Sequence, residues 1–193
     1  MFNETIFSIG VTRLELRGID NESLCRKIRH CSTNPNKNKS NPRGIDIDDP
    51  VIKDLNGIVL QQSQNILEGM APKPSEGKLE TYFKRVWGNH NLNYDICTPH
   101  THRDSFLSAV YYPKSTDGII EFYSPWMDAM LSHIPWDYPN NGGAQNTTFN
   151  SSHYYFNVQT GWLILFPATL CHFVPACNDE RYSIAYDVGI RYV

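Results

Sequence analysis

The hydrophobic pattern changes rhythm near residue 78. Upstream, residues 6–17 alternate only partly between apolar and polar, which predicts a strand. Asp20 or Asn21 can cap a short helix running to about His30, with Leu24, Cys25 and Ile28 on one face. Residues 31–48 are polar and carry Pro35, Pro42 and Gly44, so they read as a loop. Asp49-Pro50 predicts a second helix, a capping residue followed by proline in the first turn. Val51, Leu55, Val59, Gln62 and Ile66 fall at steps of three or four and predict its buried stripe, with Gly69 and Pro72 ending it. Downstream, short strand-like runs recur at 79–87, 106–112, 119–123, 154–158, 162–166 and 182–188. Two helices followed by short strands predict a mainly β fold, an antiparallel sandwich or barrel with the helices against one side. The segment 124–153, rich in Pro, Asn, Gly and aromatics, is long for an idle connection and reads as a lid or binding loop.

Composition narrows the classes. The 193 residues, 40% hydrophobic and 12% aromatic, suffice for one core. The expected organisation is a single domain over 1–193, with strand and helices in 1–77 and the β core in 78–193. A net charge of −3 leaves no global basic field, so nucleic acid is not an expected partner. No apolar run reaches the ~18 residues of a membrane span. Met1-Phe2-Asn3-Glu4-Thr5 lacks the basic, apolar start of a signal peptide. The five cysteines are odd in number and include no CxxC, which predicts a reducing, cytoplasmic compartment.

Candidate chemistry concentrates in three places. In Pro99-His100-Thr101-His102-Arg103-Asp104, alternate residues of an extended chain share a face. His100 and His102 can then bind one metal ion, as can His102 with Asp104; an imidazole plus a carboxylate suits non-haem Fe(II). Both histidines are otherwise polar residues at a strand end. Next, the apolar run Gly161–Phe166 ends at Pro167, and His172 follows in apolar surroundings. Finally, from Ser115 to Glu180 there are six acids and no Lys or Arg. Arg181 then opens a strand, either as an incidental surface charge or as an anion anchor.

Taken together and in this order, His100-x-His102, Ser105–Tyr112, Gly161–Pro167, His172 and Arg181-x-Ser183 resemble the Fe(II)/2-oxoglutarate-dependent oxygenase superfamily, in particular a branch of small oxygenases from phages and marine bacteria. The resemblance is clear over about residues 78–193 and weaker upstream. It implies a double-stranded β-helix, or jelly roll. It also implies Fe(II) held by His100, His102 and His172, and 2-oxoglutarate gripped at its distal carboxylate by Arg181. Ser183 and Tyr112 would add hydroxyls there, with Tyr111 an adjacent competitor for Tyr112. The superfamily more usually has H-x-D, so Asp104 stands as the alternative second ligand. The register of Ser105–Ser108 against the family strand favours His102 and puts Asp104 in a turn. Three histidines leave the iron one unit more positive than two histidines and a carboxylate.

The implied activity is a dioxygenase that decarboxylates 2-oxoglutarate to succinate with O2 while hydroxylating a peptide side chain or small molecule. The acidic, base-poor 115–180 stretch points to a neutral or cationic substrate. Two alternatives remain: a three-histidine cupin-type dioxygenase, and a non-catalytic jelly-roll component, of a virion for instance, with a vestigial metal site. The expected location is the cytoplasm, the host's if the chain is phage-encoded; homo-oligomerisation is left open. His133 and His153 read as lid residues, His30 and His90 as surface, and Cys171 as core. Trp126, Trp136 and Tyr138 either line a cleft or pack the lid.

Overall fold

The computed structural model describes residues 8–31, 43–70, 74–92, 94–125 and 153–193. Helix α1 (Asn21–Cys31) starts where Asp20 caps it, its carboxylate accepting the Ser23 amide at 3.0 Å. Leu24 and Ile28, four apart, are its buried contacts. Helix α2 (Lys53–Met70) begins three residues after the expected Pro50. The Asp49 carboxylate accepts from Val51 N at 2.9 Å and its carbonyl from Ile52 N at 3.1 Å, so a separate turn precedes the helix. This rotates the buried stripe by one residue. Val51 is exposed, whereas Ile52, Leu55, Asn56, Val59, Ser63 and Leu67 are buried. Gln62 and Ile66 are only half-buried flanks.

The described residues form ten strands: β1 (Thr12–Glu15), β2 (Arg43–Gly44), β3 (Leu79–Asn91), β4 (Cys97–His100), β5 (Leu107–Lys114), β6 (Ile119–Tyr123), β7 (His153–Asn157), β8 (Trp162–Pro167), β9 (His172–Val174) and β10 (Arg181–Tyr192). All pair antiparallel, in a six-stranded sheet of order β1-β8-β5-β10-β3-β2 and a four-stranded sheet of order β4-β9-β6-β7. Of the expected strand over 6–17, whose residues 6 and 7 lie outside the described ones, residues 12–15 form β1, and residues 43–44 of the expected loop are an edge strand against β3. Pro72 and most of the 124–153 segment, with His133, Trp126, Trp136 and Tyr138, lie outside the described residues. No described helix is long and apolar enough to cross a membrane.

The large sheet is covered on both faces, and side-chain parity sorts its residues. Leu107, Ala109 and Tyr111 of β5, Leu163 and Leu165 of β8, and Tyr182, Ile184, Tyr186 and Val188 of β10 pack beneath the helices with Leu24, Ile28, Leu55 and Val59. The alternate residues face the small sheet: Val110, Tyr112, Ile164 and Phe166 meet Ile120 and Phe122 there. On β10 that same inward parity belongs to Arg181, Ser183, Ala185 and Asp187, three of them polar. The space between the sheets is therefore apolar on one side and polar towards β10.

Candidate functional site

The short strands β4 and β9 bring two histidines level, His100 being the cross-strand partner of His172. His102 lies just beyond β4, its amide donating to Ala168 O at 2.8 Å. One ligand-capable nitrogen from each of His100, His102 and His172 lies within 4.8 Å of the others. The Nε2 atoms of His102 and His172 are 3.3 Å apart. Two nitrogens at that spacing can both reach one ion at ~2.1 Å.

Each ring is also fixed from behind. His100 Nδ1 lies 2.7 Å from Thr98 O, His172 Nδ1 3.1 Å from Leu170 O, and His102 Nδ1 2.6 Å from Asp187 Oδ1. Carbonyls and carboxylates only accept, so all three Nδ1 atoms carry the proton and all three Nε2 lone pairs are bare. Trp87 stacks on His102 at 5.6 Å and Phe166 meets His172 edge-on at 4.8 Å, holding the rings in place.

Burial, followed by the neighbouring His100 and His102, pushes the His172 pKa down to about 3, so its imidazole stays neutral. The unfolded chain takes up that proton near pH ~6.5, and the folded chain does not. Stability from this group is therefore lost as pH falls from ~6.5 towards 3. Between pH 6 and 5 the metal-free protein should lose roughly 1 kcal/mol more stability than His172→Gln. Urea unfolding at the two pH values checks this, and equal slopes would refute it.

A cavity of about 640 Å³ opens over this cluster, lined also by Tyr112, Ser108, Arg181 and Ser183. Arg181 is 1% exposed, yet neither Nη1 nor Nη2 has a hydrogen-bond partner among the described residues. The adjacent acids are engaged elsewhere: Glu180 with Lys114, Tyr182 and His90, and Asp179 with Thr116. A buried guanidinium left in this state costs several kcal/mol unless something anionic meets it. Ser183 accepts from Asn89 Nδ2 at 3.2 Å beside it. Gly118 makes room for Arg181, since a Cβ there would sit 2.9 Å from Arg181 Cδ and 2.5 Å from Ser115 Oγ.

Tyr112 lines the cavity, whereas Tyr111 points to the helix side and donates to Asn21 Oδ1 at 2.7 Å. Asp104 is exposed in a left-handed turn (φ 68°) and stands outside the cluster. His90 is not a free surface position: it bonds Glu180 at 2.7 Å and stacks on Tyr182 at 4.3 Å. His153 begins β7 rather than lying in a loop, and Cys171 is half-buried. The described cavity lining includes Lys84, Arg85 and Arg181 but no Asp or Glu, so that side does not favour a cationic substrate.

Asp187 was missed by motif reading. It is fully buried, and Arg85 Nε donates to its Oδ2 at 2.7 Å. Burial works to raise its pKa, but the His102 and Arg85 contacts prevail and hold it below the usual carboxylate range. Its signal was parity: it lies six residues after Arg181, on the same face.

This arrangement defines a class. A double-stranded β-helix carries three bare imidazole nitrogens and a buried arginine, unpartnered among the described residues, on one cavity, which fits a divalent metal with an anionic chelate beside it. The family described as "Putative 2OG-Fe(II) oxygenase" matches residues 85–187, more than half of the chain, and the chain belongs to it. The cofactors of such an oxygenase are Fe(II) and 2-oxoglutarate.

Among solved structures, a prolyl-4-hydroxylase from Pseudomonas putida superposes with a TM-score of 0.63 at 13% identity, covering 94% of both chains. HygX from Streptomyces hygroscopicus, crystallised with nickel and 2-oxoglutarate, gives 0.60 at 12% identity, over 94% of this chain and 83% of its own. AviO1 from Streptomyces viridochromogenes Tue57 gives 0.60 at 10%, over 94% and 90%. At these identities the likeness is one of fold. No curated protein matches the chain.

Proposed function

We propose that His100, His102 and His172 hold the Fe(II) of this oxygenase through their Nε2 atoms, and that Arg181 grips the distal carboxylate of 2-oxoglutarate, with Ser183 and Tyr112 alongside. The observation that carries this reading is the buried Arg181 guanidinium, without a partner among the described residues, on the same cavity as the converging imidazoles. When bound, the iron supplies O2 activation coupled to decarboxylation of the 2-oxo acid. The protein's own residues do the rest. Thr98, Leu170 and Asp187 keep each imidazole in its ligating tautomer. Arg181 offers two parallel N–H donors to a carboxylate. Phe166, Val110 and Ile120 keep part of the wall dry.

The substrate class we infer is a peptide side chain or a small molecule. Neighbours of the same fold are a prolyl-4-hydroxylase and HygX, the latter crystallised with hygromycin B bound. The scattered, odd-numbered cysteines suit a cytoplasmic setting. The absence of a carboxylate from the three-histidine group is what a cupin-type dioxygenase without a 2-oxo acid would share. Arg181 weighs against that alternative.

The test is mass-spectrometric detection of succinate from 2-oxoglutarate under air, with Fe(II) and panels of peptides and small molecules. Succinate above the metal-free control supports the proposal; iron-dependent O2 uptake without 2-oxoglutarate consumption favours the cupin-type reading. Gly118→Ala, which crowds Arg181, should weaken 2-oxoglutarate binding by about tenfold, the loss of one charge-assisted hydrogen bond, with Fe(II) binding unchanged. Calorimetric titration of each ligand separates the two.

A further inference from the structure

We propose that Asp187 supplies, from behind His102, the negative charge that an all-histidine ligand set lacks, and so sets the affinity and reduction potential of the bound iron. The inference rests on the reading of His102 as a ligand. Three neutral imidazoles leave the metal one unit more positive than two imidazoles and a carboxylate. The three histidines are not equivalent, because His100 and His172 donate to the neutral carbonyls of Thr98 and Leu170. His102 alone faces a carboxylate: its Nδ1 lies 2.6 Å from Oδ1 of the fully buried Asp187, an oxygen that has no other partner among the described residues.

His102 also occupies the position at which the superfamily's more usual H-x-D pattern places its acidic ligand. The missing charge has thus moved one shell outward instead of vanishing. A carboxylate hydrogen-bonded to a ligating imidazole raises the basicity of the metal-facing nitrogen. In a dry site its charge reaches the metal with little screening.

Arg85 holds the other oxygen, Oδ2, through Nε at 2.7 Å and Nη2 at 2.5 Å. Its side chain is 68% exposed, so solvent screens its charge far more than that of Asp187. Arg85 therefore fixes and partly offsets the carboxylate without cancelling it. Ser108 is the cross-strand partner of Asp187, and its buried hydroxyl has no hydrogen-bond partner among the described residues, so it does not neutralise the acid either. Asp187 is here a positioning residue acting through His102.

The test is anaerobic potentiometric titration of the iron-loaded full chain, with Fe(II) affinity measured by chelator competition. Asp187→Asn should weaken Fe(II) binding 10- to 100-fold. It should also shift the preference for Fe(II) over Fe(III) by at least tenfold, a rise in potential of about 59 mV. Arg85→Gln, at a mostly exposed group, should move the potential the other way, because the carboxylate loses its counter-cation. Loosened packing alone would not give opposite signs. An unshifted potential in Asp187→Asn, or shifts of the same sign in both variants, overturns the proposal. If Asp187→Asn fails to fold by circular dichroism, the sign in Arg85→Gln decides. A wild-type protein that binds no Fe(II) overturns the ligand assignment as well, whereas iron binding with no shift overturns the role of Asp187 alone.

Discussion

His102→Ala and His172→Ala are each expected to abolish the visible charge-transfer band that should form when Fe(II) and 2-oxoglutarate are added anaerobically, and Asp104→Ala is expected to leave it intact. The expected contrast follows from position. His102 and His172 are buried with Nε2 atoms 3.3 Å apart, so removing either deletes a nitrogen from the cluster that holds the metal. Asp104 is exposed on a left-handed turn, outside the cluster. His100→Ala should also lose the band. Its ring is only half-buried, so a water molecule can enter in its place and added imidazole should restore part of the signal. Loss of the band in Asp104→Ala with retention in His100→Ala would mean that the metal pair is His102 and Asp104.

Arg181→Met is expected to make the metal-free protein more stable while crippling cosubstrate binding. Among the described residues the buried guanidinium has no anion to meet it, and a methionine of similar length fills the space without a charge to desolvate. A gain of about 1–4 kcal/mol in unfolding free energy is expected by analogy with buried ionic groups replaced by apolar ones. 2-Oxoglutarate affinity should fall by about 1.5–3 kcal/mol, roughly 10- to 150-fold, with Fe(II) affinity retained. Thermal unfolding and calorimetry on the same sample read both effects. A variant that loses stability and keeps 2-oxoglutarate would show that Arg181 serves packing rather than an anion.

Much of this architecture was legible in the chain because strands and helices have different periods. Ile119–Tyr123 matches its predicted span, β8 extends its span by one residue, and β10 extends its own by one residue at the start and four at the end. The short strands β4 and β9 were not legible: Cys97–His100 and His172–Val174 are too brief to show an alternation, and the pairing of β4 with β9, and of β9 with β6, is what makes them strands. The face of α2 was misjudged by one residue because Asp49 winds a turn before the helix instead of starting it, which puts Ile52 rather than Val51 in the core.

At the site, His100 and His102 could be paired because their spacing follows the strand repeat, whereas His172 and Arg181 joined them through the resemblance to the oxygenase superfamily. Asp187 could not be linked to His102 from spacing alone. They are far apart in sequence and meet only through the register of β10 between β3 and β5, which itself shifts at Asp187 and Val188. That contact belongs to tertiary structure, although an acid in an otherwise apolar strand, on the parity of Arg181, was a visible sign.

The most direct measurement is an anaerobic crystal structure of the full chain with Fe(II) and 2-oxoglutarate, the iron located by anomalous scattering. The expected result is one iron at ~2.0–2.2 Å from Nε2 of His100, His102 and His172, with the distal carboxylate of 2-oxoglutarate on Arg181 Nη1 and Nη2. Iron bound through Asp104, or 2-oxoglutarate seated away from Arg181, would contradict it.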